Sequence, residues 1–288
     1  MSPKSTKRRA SKAKKEELEP TGIDQIDRLP ERCTITDYIA AVSAYVREQK
    51  GLKAGPKKAA QIRLSAALGR SLLNDLQSKL PSLKTAVVGE RKVAGALRTT
   101  NADVSETHEL DGLRLAVELK PVNLAVGRAI WNRFGDLRTF AVNLHLKFPF
   151  AVIGGVLVIP TYEEVGSKEA IEAEEAEVEA AEKADSSELS TESDQKIAEA
   201  SPTYAAVLSS PTQRPTRHLI ERAVKRLIRA GGRETEADAA HLLEGIAVVA
   251  YDPGTGEIDD DLPPVGSGLR WDEFIASLAK AYEARFEV

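Results

Sequence analysis

Cysteine is almost missing from this chain: Cys33 is the single one among 288 residues. That excludes an internal disulfide framework and fits a reducing, cytoplasmic setting. Histidine is scarce as well, four in all, which leaves too few ligands for a structural zinc site. Long apolar runs are lacking. The stretch Phe150 to Ile159 is far shorter than a membrane span and reads as a buried strand, so no membrane association is expected. The basic N-terminus is not followed by an apolar segment, and no secretory signal is expected. The glycine pairs Gly154-Gly155 and Gly231-Gly232 lack a following Lys-Ser/Thr, which argues against a phosphate loop. No internal repeat, zinc finger or helix-turn-helix pattern is present.

Hydrophobic residues make up 42% of the chain, enough for a real core, and the length suits one large domain or two small ones. The formal net charge of −4 hides a strong segregation. Residues 1–15 carry seven Lys/Arg and no acid, residues 30–162 carry 19 basic and 11 acidic side chains, and residues 163–200 carry 14 acids against three lysines. The central part is therefore basic, as suits a protein that approaches a polyanion. Residues 1 to about 28 read as a disordered basic tail, either solubilising or an accessory arm on nucleic acid. The Glu/Ala/Ser-rich block at about 163–203 reads as an acidic insertion, part solvated helix and part disordered loop, within a single domain spanning 29–288.

Periodicity supplies the elements. Thr34 or Thr36 is placed to cap a helix through Ile39, Val42 and Val46, and a second helix follows Gly55-Pro56 and ends before Pro81. Strands are expected at Thr85–Val88, Lys92–Arg98, Asp103–Leu110 and Leu113–Leu119. Asn123 is placed to cap a helix whose stripe Ile130, Phe134, Leu137, Ala141, Leu144 has the spacing of a buried face. After the strand at 150–159 and the insertion come a helix from Arg217 to Ala230, a strand at Leu242–Tyr251 and a last helix from Trp271 to Phe286. This order predicts an α/β domain with a central mixed sheet flanked by helices.

The chemistry gathers in His108-Glu109-Leu110-Asp111-Gly112-Leu113-Arg114-Leu115-Ala116-Val117-Glu118-Leu119-Lys120. Strand alternation sends Glu118 and Lys120 to one face and Val117 and Leu119 to the other. A bend at Gly112 would turn Asp111 toward the same pocket. Two carboxylates and an ammonium suit a hard divalent cation, Mg²⁺ or Mn²⁺, that completes its shell with water and phosphate oxygens. The plain alternative is an exposed strand with a Glu/Lys pair on its outer face.

The pattern Asp111-x6-Glu118-Leu-Lys120 resembles the core of the PD-(D/E)XK nuclease superfamily, in the spelling of its MutH/Sau3AI-type and type II restriction endonuclease members. Leu110 stands where that family's proline precedes the acid. The resemblance implies a restriction-endonuclease-like core and Mg²⁺-dependent hydrolysis of double-stranded DNA. In it Asp111 and Glu118 hold the metal, Lys120 assists at the phosphate, and a homodimer cuts both strands. Glu90, Asp103, Glu106 and Glu109 are candidates for a further acid, with Glu109 and Glu90 ranked first. Arg114, Arg128, Arg133 and Arg138 are candidates for phosphate contacts, and His145 reads as a polar residue on a helix surface. A repair or recombination nuclease, or a non-catalytic nucleic-acid-binding protein, remains open beside the restriction enzyme.

Overall fold

Thr34 starts the first helix, α1 (Ile35–Glu48), with a capping box: its hydroxyl accepts the Asp37 N–H while the Asp37 carboxylate accepts the Thr34 N–H. Both otherwise orphaned donors are thereby satisfied. The computed structural model describes residues 29, 32–49, 52–122, 125–164 and 213–287. The basic tail at 1–28, the Asn123 cap and all of the acidic block beyond Glu164 lie outside the described residues.

After α1 come α2 (Ala54–Lys79), β1 (Val87–Ala94), β2 (Thr99–His108), β3 (Gly112–Pro121), α3 (Val126–His145), β4 (Val152–Pro160) and β5 (Tyr162–Glu164). The chain continues through β6 (Gln213–Pro215), α4 (Arg217–Leu227), β7 (Gly245–Asp252), β8 (Glu257–Ile258) and α5 (Trp271–Phe286). Six strands form one mixed sheet in the order β1-β2-β3-β4-β7-β8. β3, β4 and β7 are parallel, and β1, β2 and β8 join antiparallel at the two edges.

The two faces of the sheet bury separate clusters. Leu115, Val117, Leu119, Val156 and Val249 pack with α1, α2 and α5 on one side. Ala116, Ile153, Leu157 and Val248 pack with α3 and α4 on the other. β4 is buried along its whole length, as an apolar run without alternation requires when both faces are covered. No helix among the described residues is long and apolar enough to cross a membrane.

Two local expectations differ from the structure. The strands expected at Thr85–Val88 and Lys92–Arg98 merge into the single strand Val87–Ala94, because Gly89 (φ 119°) and Glu90 make a bulge between Val88 and Arg91, and residues 95–98 form the turn into β2. A glycine that reads as a break is accommodated by an extra residue inside the strand. Glu163 and Glu164 belong to β5 and not to a solvated insertion. The Glu163 carboxylate is buried, accepts the Val126 N–H at the start of α3 at 2.7 Å and pairs with Arg214. It thus supplies the anion that a helix N-terminus favours.

Candidate functional site

The β2–β3 hairpin turns through Glu109, Leu110 and Asp111, with Gly112 at φ 71°. Its ladder runs from His108↔Gly112 to Val104↔Val117 and stops there. The next residue on β2 is Asp103, and its carboxylate, not a backbone carbonyl, accepts the Leu119 N–H at 2.7 Å. On the β1 side, Gly89 and Glu90 fall between the pairs Val88↔Val104 and Arg91↔Ala102, opposite Asp103 alone. The bulge and the opened ladder bring Asp103 alongside Glu118 and Lys120.

Glu118 and Lys120 share one face of β3, and their side chains are in contact. Beside them on the sheet, Glu118 pairs with Gly155 of β4. A Cβ at Gly155 would lie 2.8 Å from the Leu137 side chain, so the missing side chain lets α3 approach closely. That approach places Asp136 of α3 at 4.0 Å from the Lys120 ammonium, while Arg133 holds Asp136 at 3.0 Å.

Electrostatics follow from this crowding. Burial pushes the Glu118 carboxyl up from its ordinary pKa; contact with Lys120 pulls it part of the way back, and the negative charges of Asp103 and Asp136 oppose that. The Asp103 carboxyl is also raised, first by burial and then by Glu90, against the lowering by the Leu119 N–H and Lys120. Two carboxylates whose ionised forms are disfavoured gain from a hard cation between them. Their oxygen donors fit Mg²⁺ or Mn²⁺, which needs one or two protein carboxylates. Among the described residues no three His, Cys, Asp or Glu side chains form a ready-made metal group, so the fit rests on this pair.

Asp111 is not part of this group. It lies in the hairpin turn, and the seven residues to Glu118 span about 23 Å at the rise of a strand. There it pairs with Arg114 and lies 3.3 Å from His108. The bend at Gly112 reverses the chain from β2 into β3 and does not fold Asp111 back over β3. Glu109 is exposed in the same turn. Glu90, in contrast, sits in the bulge beside Asp103 and accepts from Asn101 at 3.1 Å.

Arg114 packs over the Phe286 ring at the Asp111 end of β3, not beside Glu118. Arg128 is exposed in the first turn of α3, Arg133 holds Asp136, and Arg138 lies over Phe134. His145 is not a surface residue. It is fully buried, 3.2 Å from Glu244, and far along α3 from Asp136. Asp259 and Asp261 face Arg217. In the sequence Asp103 stands only as a candidate further acid, and nothing singles out Asp136. The signal for Asp103 lies in hairpin symmetry: a turn centred near Leu110 sets residues 102–103 opposite Glu118. Comparison with family models, curated proteins and solved structures found no match for this chain.

Proposed function

We propose that this chain is a Mg²⁺-dependent endonuclease that hydrolyses phosphodiester bonds of double-stranded DNA, built on a restriction-endonuclease-like core with Asp103, Glu118 and Lys120 as the working residues. The observation that carries the reading is the contact of Glu118 with Lys120 within electrostatic reach of the Asp103 carboxylate, which takes the Leu119 N–H where β2 and β3 part. It replaces Asp111 by Asp103 in the PD-(D/E)XK resemblance and keeps Glu118-Leu119-Lys120.

Asp103 and Glu118 would hold the cation, which supplies charge against the phosphate oxygens and acidifies water at the site. The Lys120 ammonium is placed to orient the attacking water or to meet charge developing on the phosphate. Glu118 contacts Lys120 and thereby fixes its direction, and Asp136 approaches the same ammonium from α3. The basic balance of residues 30–162 favours approach to a polyanion, and Arg128, Arg133 and Arg138 on α3 are the candidates for phosphate contacts. Site-specific cleavage of both strands, as by a type II restriction enzyme in the cytoplasm, calls for a homodimer with a two-fold axis.

The test is cleavage of supercoiled plasmid with Mg²⁺, with Mn²⁺ and with EDTA. The expected result is metal-dependent cutting that Asp103→Asn, Glu118→Gln and Lys120→Ala each reduce by about a hundredfold to a thousandfold, the order lost with a main electrostatic group. Asp111→Asn keeps activity near the parent's. Discrete fragments identify a restriction enzyme, and structure-dependent nicking a repair or recombination nuclease. Absence of cutting on all substrates, or full activity of Asp103→Asn, overturns the proposal.

A further inference from the structure

At the other end of β3 a cleft of about 660 Å³ opens between the hairpin turn, the loop from Lys147 to Ala151 and the end of α5. Its volume lies within the range of small-molecule sites. Three cations line it, Arg114, Lys147 and Arg285, against one acid, Asp111. Behind it, the buried Glu244 faces Arg233 and Arg285 together, so the interior does not cancel the positive charge of the lining.

The aromatic part of the cleft is arranged with the charge. Arg114 lies 5.1 Å from the centre of the Phe286 ring and Lys147 lies 5.5 Å from that of Phe148, so both rings hold a cation at the wall. Phe150 is 56% exposed and Leu110 is 89% exposed, leaving an apolar ring and an apolar lip beside the cations. Arg285 is committed to Glu244 and to the carbonyls of Phe150 and Ala151. Its role is to hold the loop and lend its field; Arg114 is paired with Asp111 at the lip, and Lys147 is the cation that faces a ligand.

We propose that this cleft binds a nucleotide unit, with the base stacked on Phe150 and the phosphate met by Lys147 beside the Arg114–Asp111 pair. Excess positive charge beside an exposed ring is the combination that planar, anionic ligands require, since a base supplies the π-face and its phosphate the charge. The unit is either a free mononucleotide or an unpaired end of a nucleic-acid strand. The site is separate from Asp103, Glu118 and Lys120 and does not depend on their activity.

The test is calorimetric titration of the full chain in EDTA with deoxyadenosine monophosphate, with a single-stranded thymidine hexamer and with orthophosphate. The nucleotide or the hexamer should bind, and orthophosphate should bind at least about tenfold more weakly, since it lacks the stacking contribution of a base. A hexamer that binds more tightly than the mononucleotide identifies a strand end as the source, and equal affinities identify the free nucleotide. Lys147→Ala and Phe150→Ala change exposed side chains, and each should weaken binding by about tenfold, while Lys57→Ala on α2 leaves it unchanged. The inference fails if neither nucleotide nor hexamer binds at millimolar concentration, if orthophosphate binds equally well, or if both cleft variants keep full affinity. Cleavage of plasmid is read separately, so the failure of one proposal leaves the other standing.

Discussion

Asp103 carries two burdens, one structural and one chemical. Its carboxylate takes the place of a ladder acceptor for the Leu119 N–H, and burial with Glu90 nearby raises its pKa. A carboxyl raised in the folded state holds its proton more tightly there than in the unfolded chain. It therefore favours folding at acid pH, and that contribution is lost as pH rises through the raised value. Asp103→Asn keeps an acceptor for Leu119 and removes the ionisation. In EDTA the variant should be at least as stable as the parent at pH 8, the difference should fade toward pH 4, and Mg²⁺ should raise the parent's Tm alone. Thermal denaturation across pH, with and without Mg²⁺, measures all three. At this scale the alternation that sets Glu118 and Lys120 on one face was legible from the strand pattern. The choice between Asp103 and Asp111 was not, because it depends on which residues face each other across a turn. Spacing along one strand is a poor guide when the partner comes from the next strand.

At the scale of elements, the site depends on two close approaches. One is α3 over Gly155, described above. The other is the tip of the β1–β2 hairpin, where the Asn143 carboxamide on α3 accepts from the N–H groups of Leu97 and Arg98 and donates to the Arg98 carbonyl. Asn143 is 1% exposed, so its loss leaves the Leu97 and Arg98 N–H groups without their acceptor, while the Arg98 carbonyl keeps the Gly95 N–H. Asn143→Ala should cost about 2–4 kcal/mol, from several unmade bonds at a buried position, measured by urea unfolding. The hairpin carries Asp103 and Glu90, so protection of β1 and β2 amides against hydrogen exchange should fall more than that of β4. Elements with strong periodicity were readable: α5 runs from Trp271 to Phe286 as its pattern predicts, and the strand expected at 150–159 begins at Val152. The bulge at Gly89-Glu90 was not, because glycine marks a bulge and a break alike until a partner strand fixes the register.

At the scale of the whole molecule, five parts of the fold meet at Glu244, just before β7. Its carboxylate accepts the Ile153 N–H of β4 at 2.7 Å and contacts Arg233 at 2.9 Å, Arg285 of α5 at 2.8 Å and His145 of α3 at 3.2 Å. Burial alone would raise its pKa, but the hydrogen bond and charge of His145, then Arg285 and the Ile153 N–H, hold it below the ordinary range. Its contribution to stability is therefore present above the unfolded value, about 4.3, and is lost as pH falls toward the depressed one. Glu244→Gln leaves buried cations without their counter-charge and should cost about 3–5 kcal/mol at pH 7. The loss should shrink only as pH falls below about 4.3 and through the depressed value, where first the unfolded and then the folded carboxyl takes up a proton. Chemical denaturation at pH 7 and in steps below pH 4 tests both statements. His145 gave no sign of this role in sequence. On a helix already supplied with a buried stripe, nothing local distinguishes a second buried position from a solvated one.

Periodicity and charge by themselves determined the α/β class, the order of the elements, the buried central strand and the shared face of Glu118 and Lys120. These follow from a residue's place within its own element, and local sterics and the hydrophobic effect write them into any short window. Which acid joins that face, which helix leans on Lys120 and which buried carboxylate ties the layers together were decided only by tertiary structure. Each depends on contacts between segments far apart in the chain, set by strand register, by a missing side chain at Gly155 and by the packing of helices across the sheet.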